Sequence, residues 1–286
     1  MNKIKTIVIF GLLVLIMNCG SSETKYIDTG LYGISINNEN EAYVILYTRI
    51  GDREEVSYDF YGHTLTGDED ENRSGTYLGK VNFQDNTTTT IKKVGRLYSQ
   101  IVCKNNVIAI GGSEGTQFLR MDNYEVIKTI TEWNFHDFTA DMNKMIIDSG
   151  SIYEYNDITK VKTILKPFPN DFRDAKYCPT NETVIAYIGA SNTADNMTGD
   201  IYLINNDATG NTLVLSGYDA IKLCWHPDGN RIVFVTANSI YSINKDGSNV
   251  TFIKNFTPPE TNYHSDIYYN LFVYKTSHMD IKTIRF

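Results

Sequence analysis

The chain has 286 residues and a formal charge of −8, with 34 acidic against 26 basic side chains. An acidic body argues against non-specific nucleic-acid binding, which needs a basic surface, and against a domain held on anionic lipid by charge. Its 20 Tyr and 13 Phe, with many Ile, Val and Thr and almost no helical periodicity, favour strands.

Taken from the start, Lys3 and Lys5 form a short basic head, and Ile7 to Met17 is an apolar run too short to span a bilayer comfortably. This is the layout of a secretory signal. Ile16-Met17-Asn18-Cys19 followed by Gly20-Ser21-Ser22 resembles the lipobox of bacterial lipoproteins, although Asn18 stands where Gly, Ala or Ser is usual. The resemblance implies a signal peptide over 1–18, a lipid on Cys19, a short linker to residue 29 and a body from residue 30 to 286. The partner it implies first is the membrane, through that lipid. Gly20, where an Asp would favour inner-membrane retention, inclines the expectation to the outer membrane of a bacterial envelope. The alternative is an ordinary signal with a coincidental Cys, which leaves a secreted protein. Cleavage before Cys19 removes two lysines and takes the formal charge to about −10. Cys103, Cys178 and Cys224 then remain, an odd number that makes no complete disulfide framework. They read as buried free thiols, with a Cys178–Cys224 bridge as the alternative.

The body is a series of short apolar runs separated by Asn, Asp and Gly turns: AYVILYTRI, NVIAIGG, KMIIDSG, TVIAYIG, RIVFVTA and LFVYKTS. These runs repeat. Strand starts at Val107, Met145, Val184, Ile232 and Leu271 are 38, 39, 48 and 39 residues apart, and a strand from Ala42 opens an earlier, longer unit. Each unit reads as strand, turn, strand, loop, strand, polar turn, strand. Six units begin near Gly30, Lys93, Thr131, Asp171, Ala220 and Thr261, and the last is short. A unit of four strands cannot bury both faces alone, whereas units packed around an axis can. The expected fold is all-β: a six-bladed β-propeller of four-stranded blades. The leftover stretch Lys25 to Ile36 is expected to complete the last blade and close the ring.

The clearest unit is Trp225-His-Pro-Asp-Gly229, then NRIVFV, then SIYSINKDGSN. It resembles the PD40 repeat of TolB-like β-propellers, with His226 in place of the usual Ser. The resemblance is strong over 220–254, fair over 172–215 and weak elsewhere. It implies a six-bladed propeller in a bacterial envelope serving as a binding platform. Trp225, Tyr177 and Phe138 share one position of the unit and are expected to pack between blades. Asp228 and Asp141 are expected to hydrogen-bond within their own turns.

The units differ most in the connection between second and third strands. Most are short, but unit 1 has Ile50 to Gly75 and unit 4 has Gly189 to Gly199. Units 1 and 4 are opposite in a six-unit ring, so both loops are expected on one face, which is taken as the binding face for an envelope protein or peptide. Asp68 and Asp70 in the first loop, and Asn192 and Asp195 in the second, are candidate contacts. The acidic stretch from Asp68 fails as a calcium loop: Arg73 stands where the sharp turn needs Gly, and Gly79 where the bidentate Glu belongs.

No pair of histidines has metal-motif spacing and no GxSxG elbow occurs. No metal, cofactor or enzymatic activity is therefore expected. His136 and His264 fall near the first strands of units 3 and 6 and approach the channel. Trp133, Phe135 and Tyr263 lie nearby and carry the alternative function, a polysaccharide-binding or sugar-lyase propeller using aromatics at the channel mouth.

Overall fold

The computed structural model describes residues 6–7, 25–52, 55–59, 62–66, 75–85, 87–95, 98–112, 114–132, 134–148, 151–166, 172–190, 199–257, 265–275 and 281–286. All elements of regular structure there are strands. A two-residue strand, β1 (Thr6–Ile7), comes first. Blade 1 consists of β2 (Lys25–Asn38), β3 (Glu41–Asp52), β6 (Gly75–Asn82) and β7 (Thr87–Gly95), with a hairpin of β4 (Glu55–Asp59) and β5 (Gly62–Thr66) in its middle connection. Blade 2 is β8 (Tyr98–Lys104), β9 (Val107–Gly112), β10 (Gly115–Arg120) and β11 (Val126–Ile130). Blade 3 is β12 (Phe135–Phe138), β13 (Lys144–Asp148), β14 (Ile152–Asn156) and β15 (Val161–Lys166). Blade 4 is β16 (Phe172–Cys178), β17 (Asn181–Ala190), β18 (Gly199–Asn205) and β19 (Thr212–Ala220). Blade 5 is β20 (Lys222–Trp225), β21 (Arg231–Val235), β22 (Ser239–Asn244) and β23 (Thr251–Asn255). Blade 6 is β24 (Ser265–Tyr268), β25 (Leu271–Lys275) and β26 (Ile281–Arg285), with β1 added outside β26.

The first strands form the inner ring. β2 touches β8, β8 touches β12, and contacts continue through β16, β20 and β24 back to β2. The six-bladed propeller expected from the repeat is therefore the fold.

The core is divided the same way, with one apolar cluster at each of the six blade interfaces. Second strands supply both of their faces to it. In β13, Met145 and Ile147 pack towards blade 2 while Ile146 packs towards blade 4. In β21, Ile232 and Phe234 face blade 4 while Val233 and Val235 face blade 6. A strand buried on both faces has no solvent side, so it reads as a continuous apolar run instead of an alternating one. Phe138, Tyr177 and Trp225 lie in three successive interfaces, as their shared position in the unit requires. The Trp225 indole N–H donates to the Lys176 carbonyl of blade 4 at 3.0 Å.

The turns follow their residues. Asp228 Oδ1 accepts from Asn230 N at 2.8 Å, and Asp141 Oδ1 from Asn143 N at 3.0 Å. His226, the residue in the usual Ser position, accepts from Asp228 N through Nδ1 at 3.3 Å. Cys103, Cys178 and Cys224 are free thiols. Cys178 packs between blades 4 and 5 and Cys224 between blades 5 and 6, so the alternative of a bridge between them does not hold.

One expectation is corrected. Lys25 to Ile36 does not complete the last blade. It is the inner strand of blade 1 and pairs with β3 from Lys25↔Asp52 to Asn38↔Glu41. The reason is local. The turn at Asn38 to Asn40, held by Asn40 N donating to Asn38 Oδ1 at 2.9 Å, brings consecutive strands together, and closing so short a loop costs far less entropy than pairing across the ring. The short pairing Thr6↔Lys282 and Ile7↔Ile281 supplies the fourth strand of blade 6 instead.

Candidate functional site: the central channel and the loop-bearing face

The six inner strands enclose a polar cavity of ≈ 180 Å³ on the ring axis. Its charged walls come from Asp174 and Lys176 on β16, Lys222 on β20 and Asp266 on β24, with His136 on β12 beside them.

Several of the polar side chains on these strands hold the ring together. Each accepts a hydrogen bond from a backbone N–H of the next blade's inner strand. Ser35 Oγ accepts from Cys103 N at 2.9 Å, Gln100 Oε1 from Phe135 N at 2.9 Å, and Asp137 Oδ2 from Tyr177 N at 2.9 Å. Asp174 Oδ2 accepts from Leu223 N at 3.1 Å, and Asp266 Oδ2 from Ile36 N at 2.8 Å. Inner strands of neighbouring blades share no sheet ladder, so their N–H groups need these acceptors once buried.

Lysines reinforce the pattern. The Lys176 ammonium donates to the His136 carbonyl at 2.9 Å and lies 3.6 Å from Asp174 Oδ1. Lys104 donates to the Phe138 carbonyl at 2.9 Å and pairs with Asp137 at 3.6 Å and Glu182 at 3.5 Å. Burial raises the Asp174 carboxyl, but Lys176, Lys222 and the Leu223 N–H outweigh it and hold the group below the usual carboxylate range. Asp266 goes the other way: burial dominates and its carboxyl is raised. Lys176, despite burial, is pushed up by Asp174, Asp137 and Asp266 and stays protonated. Burial lowers His136 to about 3. An imidazole so weakly basic is uncharged at neutral pH and a poor general base.

The opposite connections of blades 1 and 4 mark one end of the channel. The blade 1 connection leaves β3 at Asp52 and returns at Gly75, and that of blade 4 leaves β17 at Ala190 and returns at Gly199. Elsewhere β9 and β10 are joined between Gly112 and Gly115, and β21 and β22 between Val235 and Ser239.

Of the candidate residues, Phe135 and His136 are in the described structure. Phe135 is only 2% exposed and packs in the core between blades 2 and 3. His136 is half-buried in the channel wall. Cys19, Asp68, Asp70, Trp133, Asn192, Asp195, Tyr263 and His264 lie outside the described residues. Sequence reasoning missed Asp174, Lys176, Lys222 and Asp266. Superposing the first strands as HDF, DAKY, KLCW and SDIY would have found them as charged residues ahead of the shared aromatic. Among the described residues no group of three His, Cys, Asp or Glu side chains is placed to hold a metal ion, and no helix is long and apolar enough to cross a membrane.

No family model matches the chain. No curated protein matches it either. Among solved structures, a chain of the mitotic checkpoint complex is similar with a TM-score of 0.55 at 12% identity, over 97% of this chain and 99% of that one. A chain of the hydrazine synthase of Kuenenia stuttgartiensis gives 0.51 at 12% identity, over 90% and 96%. A TolB-type protein of Agrobacterium tumefaciens gives 0.49 at 14% identity, over 68% and 75%. At such identities the first two likenesses concern the fold, and the same fold serves unrelated chemistries.

Proposed function

We propose that the protein is a lipid-anchored propeller of the bacterial envelope that acts as a non-catalytic platform for a protein or peptide. The observation that carries this reading is the pair of long connections, 51–75 and 189–199, leaving one end of two blades that stand opposite in the ring. A rigid ring with long connections on two opposite blades is suited to gripping a partner. The channel supports the non-catalytic part: its carboxylates accept backbone N–H groups, its Lys176 stays protonated and its His136 is a poor base. The buried position of Phe135 weighs against a stacking platform for sugars.

The anchor adds a direction. Lys25 pairs with Asp52, so the chain enters blade 1 at the end from which the long connection leaves. Five residues, 20–24, separate the lipidated Cys19 from β2, a span of at most about 20 Å. The loop-bearing face is thus turned towards the bilayer, and the partner sought is one held at the membrane surface. Cleavage before Cys19 also removes β1, leaving β26 as the outer strand of a three-stranded blade 6.

Two experiments test the reading. Cys19→Ala should abolish incorporation of labelled palmitate and release the protein from the membrane fraction; a variant that keeps the label removes the anchor. For the platform, the protein and a version with 51–75 and 189–199 shortened to tight turns are compared in capture from envelope extract, after circular dichroism confirms that both are folded. One membrane-associated protein retained by the first and lost by the second is the expected result. Equal retention, or none by either, defeats the platform.

A further inference from the structure

Two opposite charges in the channel, Lys222 and Asp266, form no ion pair within 4 Å among the described residues, although both feel the other channel charges at longer range. Among the described residues, no hydrogen bond or ion pair reaches the Lys222 ammonium, although it lines the same cavity as Asp174 and Asp266. Asp266 uses Oδ2 to accept from Ile36 N, and among the described residues no ion pair within 4 Å joins its carboxylate to a cation. By contrast Asp174 and Lys176 pair with each other. Asp174 and Lys176 form an ion pair, which leaves Lys222 and Asp266, a cation and an anion on neighbouring inner strands, β20 and β24, without one and facing one small space.

This pattern restricts what fits. A simple anion would meet Lys222 and Lys176 but also two carboxylates. A simple cation would meet Asp266 but also two ammonium groups. A molecule with both charges satisfies each unpaired group and leaves the cavity neutral. The elevated carboxyl of Asp266 agrees, because the charge of a bound cation would offset the burial penalty that raises it. The cavity of ≈ 180 Å³ has room for a few waters or one molecule of a few heavy atoms.

We propose that the channel binds a small zwitterion, an amino acid, with its carboxylate on the Lys222 ammonium and its ammonium on the Asp266 carboxylate. The site is independent of the loops and of their partner.

The test is titration calorimetry on the detergent-purified full-length protein with glycine, β-alanine and γ-aminobutyric acid, which differ in charge separation. Acetate and methylamine serve as single-charge controls. At least one amino acid should bind, with both controls weaker by about tenfold or more. Lys222→Met and Asp266→Asn should each weaken that binding by about tenfold or more. The Asn variant keeps an oxygen for the Ile36 N–H, so it tests the charge without removing the link between blades. No binding by any of the three amino acids, acetate binding as tightly as they do, or unchanged binding in Asp266→Asn would each overturn the proposal.

Discussion

Asp174→Ala should destabilise the propeller by about 3–5 kcal/mol, read from chemical denaturation at neutral pH. The carboxylate is 1% exposed and serves two groups at once, the Lys176 ammonium and the Leu223 N–H. Its removal leaves a largely buried cation without its ion-pair partner and a buried donor without an acceptor, each costly alone. Asp266→Asn should cost nothing or stabilise slightly, because that carboxylate is buried without an ion pair and the amide still accepts from Ile36. The two residues also respond oppositely to pH. Asp174 has a lowered folded-state pKa, so its stabilisation is present above the unfolded carboxylate value and is lost as pH falls through the folded one. Asp266 has a raised pKa, so its contribution is complete below the unfolded value and is lost as pH rises through the folded one. The deficit of Asp174→Ala should therefore shrink towards acid pH, and the gain of Asp266→Asn should appear only above the unfolded carboxylate range. Equal losses in the two variants at neutral pH would refute the division of roles in the channel.

The second strands were legible because burial on both faces writes itself into the sequence: VIAIGG and RIVFV have no polar alternation to lose. The shared aromatic was legible too, since Phe138, Tyr177 and Trp225 fill equivalent interfaces. Ring closure was misplaced for a different reason. Repeat matching compares unit with unit but does not say which strand pairs with which, and the decisive signal was the turn at Asn38 to Asn40. The channel charges were the least legible part. Whether Asp174 is a ligand group, a base or an acceptor for the next blade depends on the position of Leu223, 49 residues away. No local spacing encodes that. The search for histidines and aromatics found His136 and Phe135, a weak base and a core residue, while the unmatched pair Lys222 and Asp266 lay in strands that look like ordinary edges of repeats.

Gly115→Ala should cost about 2–4 kcal/mol, which would place it beside Asp174→Ala as the most damaging single change considered. Gly115 opens β10 with φ +108°, where an L side chain is strained, and a Cβ there would stand 2.3 Å from the Ile130 carbonyl oxygen. That obstacle is backbone and cannot rotate aside. Either β11 moves or Gly115 leaves its conformation, and both break the pairing of Thr116 with Ile130 that starts the outer half of blade 2. Gly217→Ala separates the two causes: its φ is +77° but nothing lies within 4 Å of a Cβ, so only conformational strain remains, about 1–2 kcal/mol. Denaturation midpoints of the two variants at unchanged slope measure the difference. Equal losses would mean that strain alone acts and that β11 has room to give where it passes the start of β10. A larger loss at Gly115 means that β11 lies as close to the start of β10 as the backbone permits.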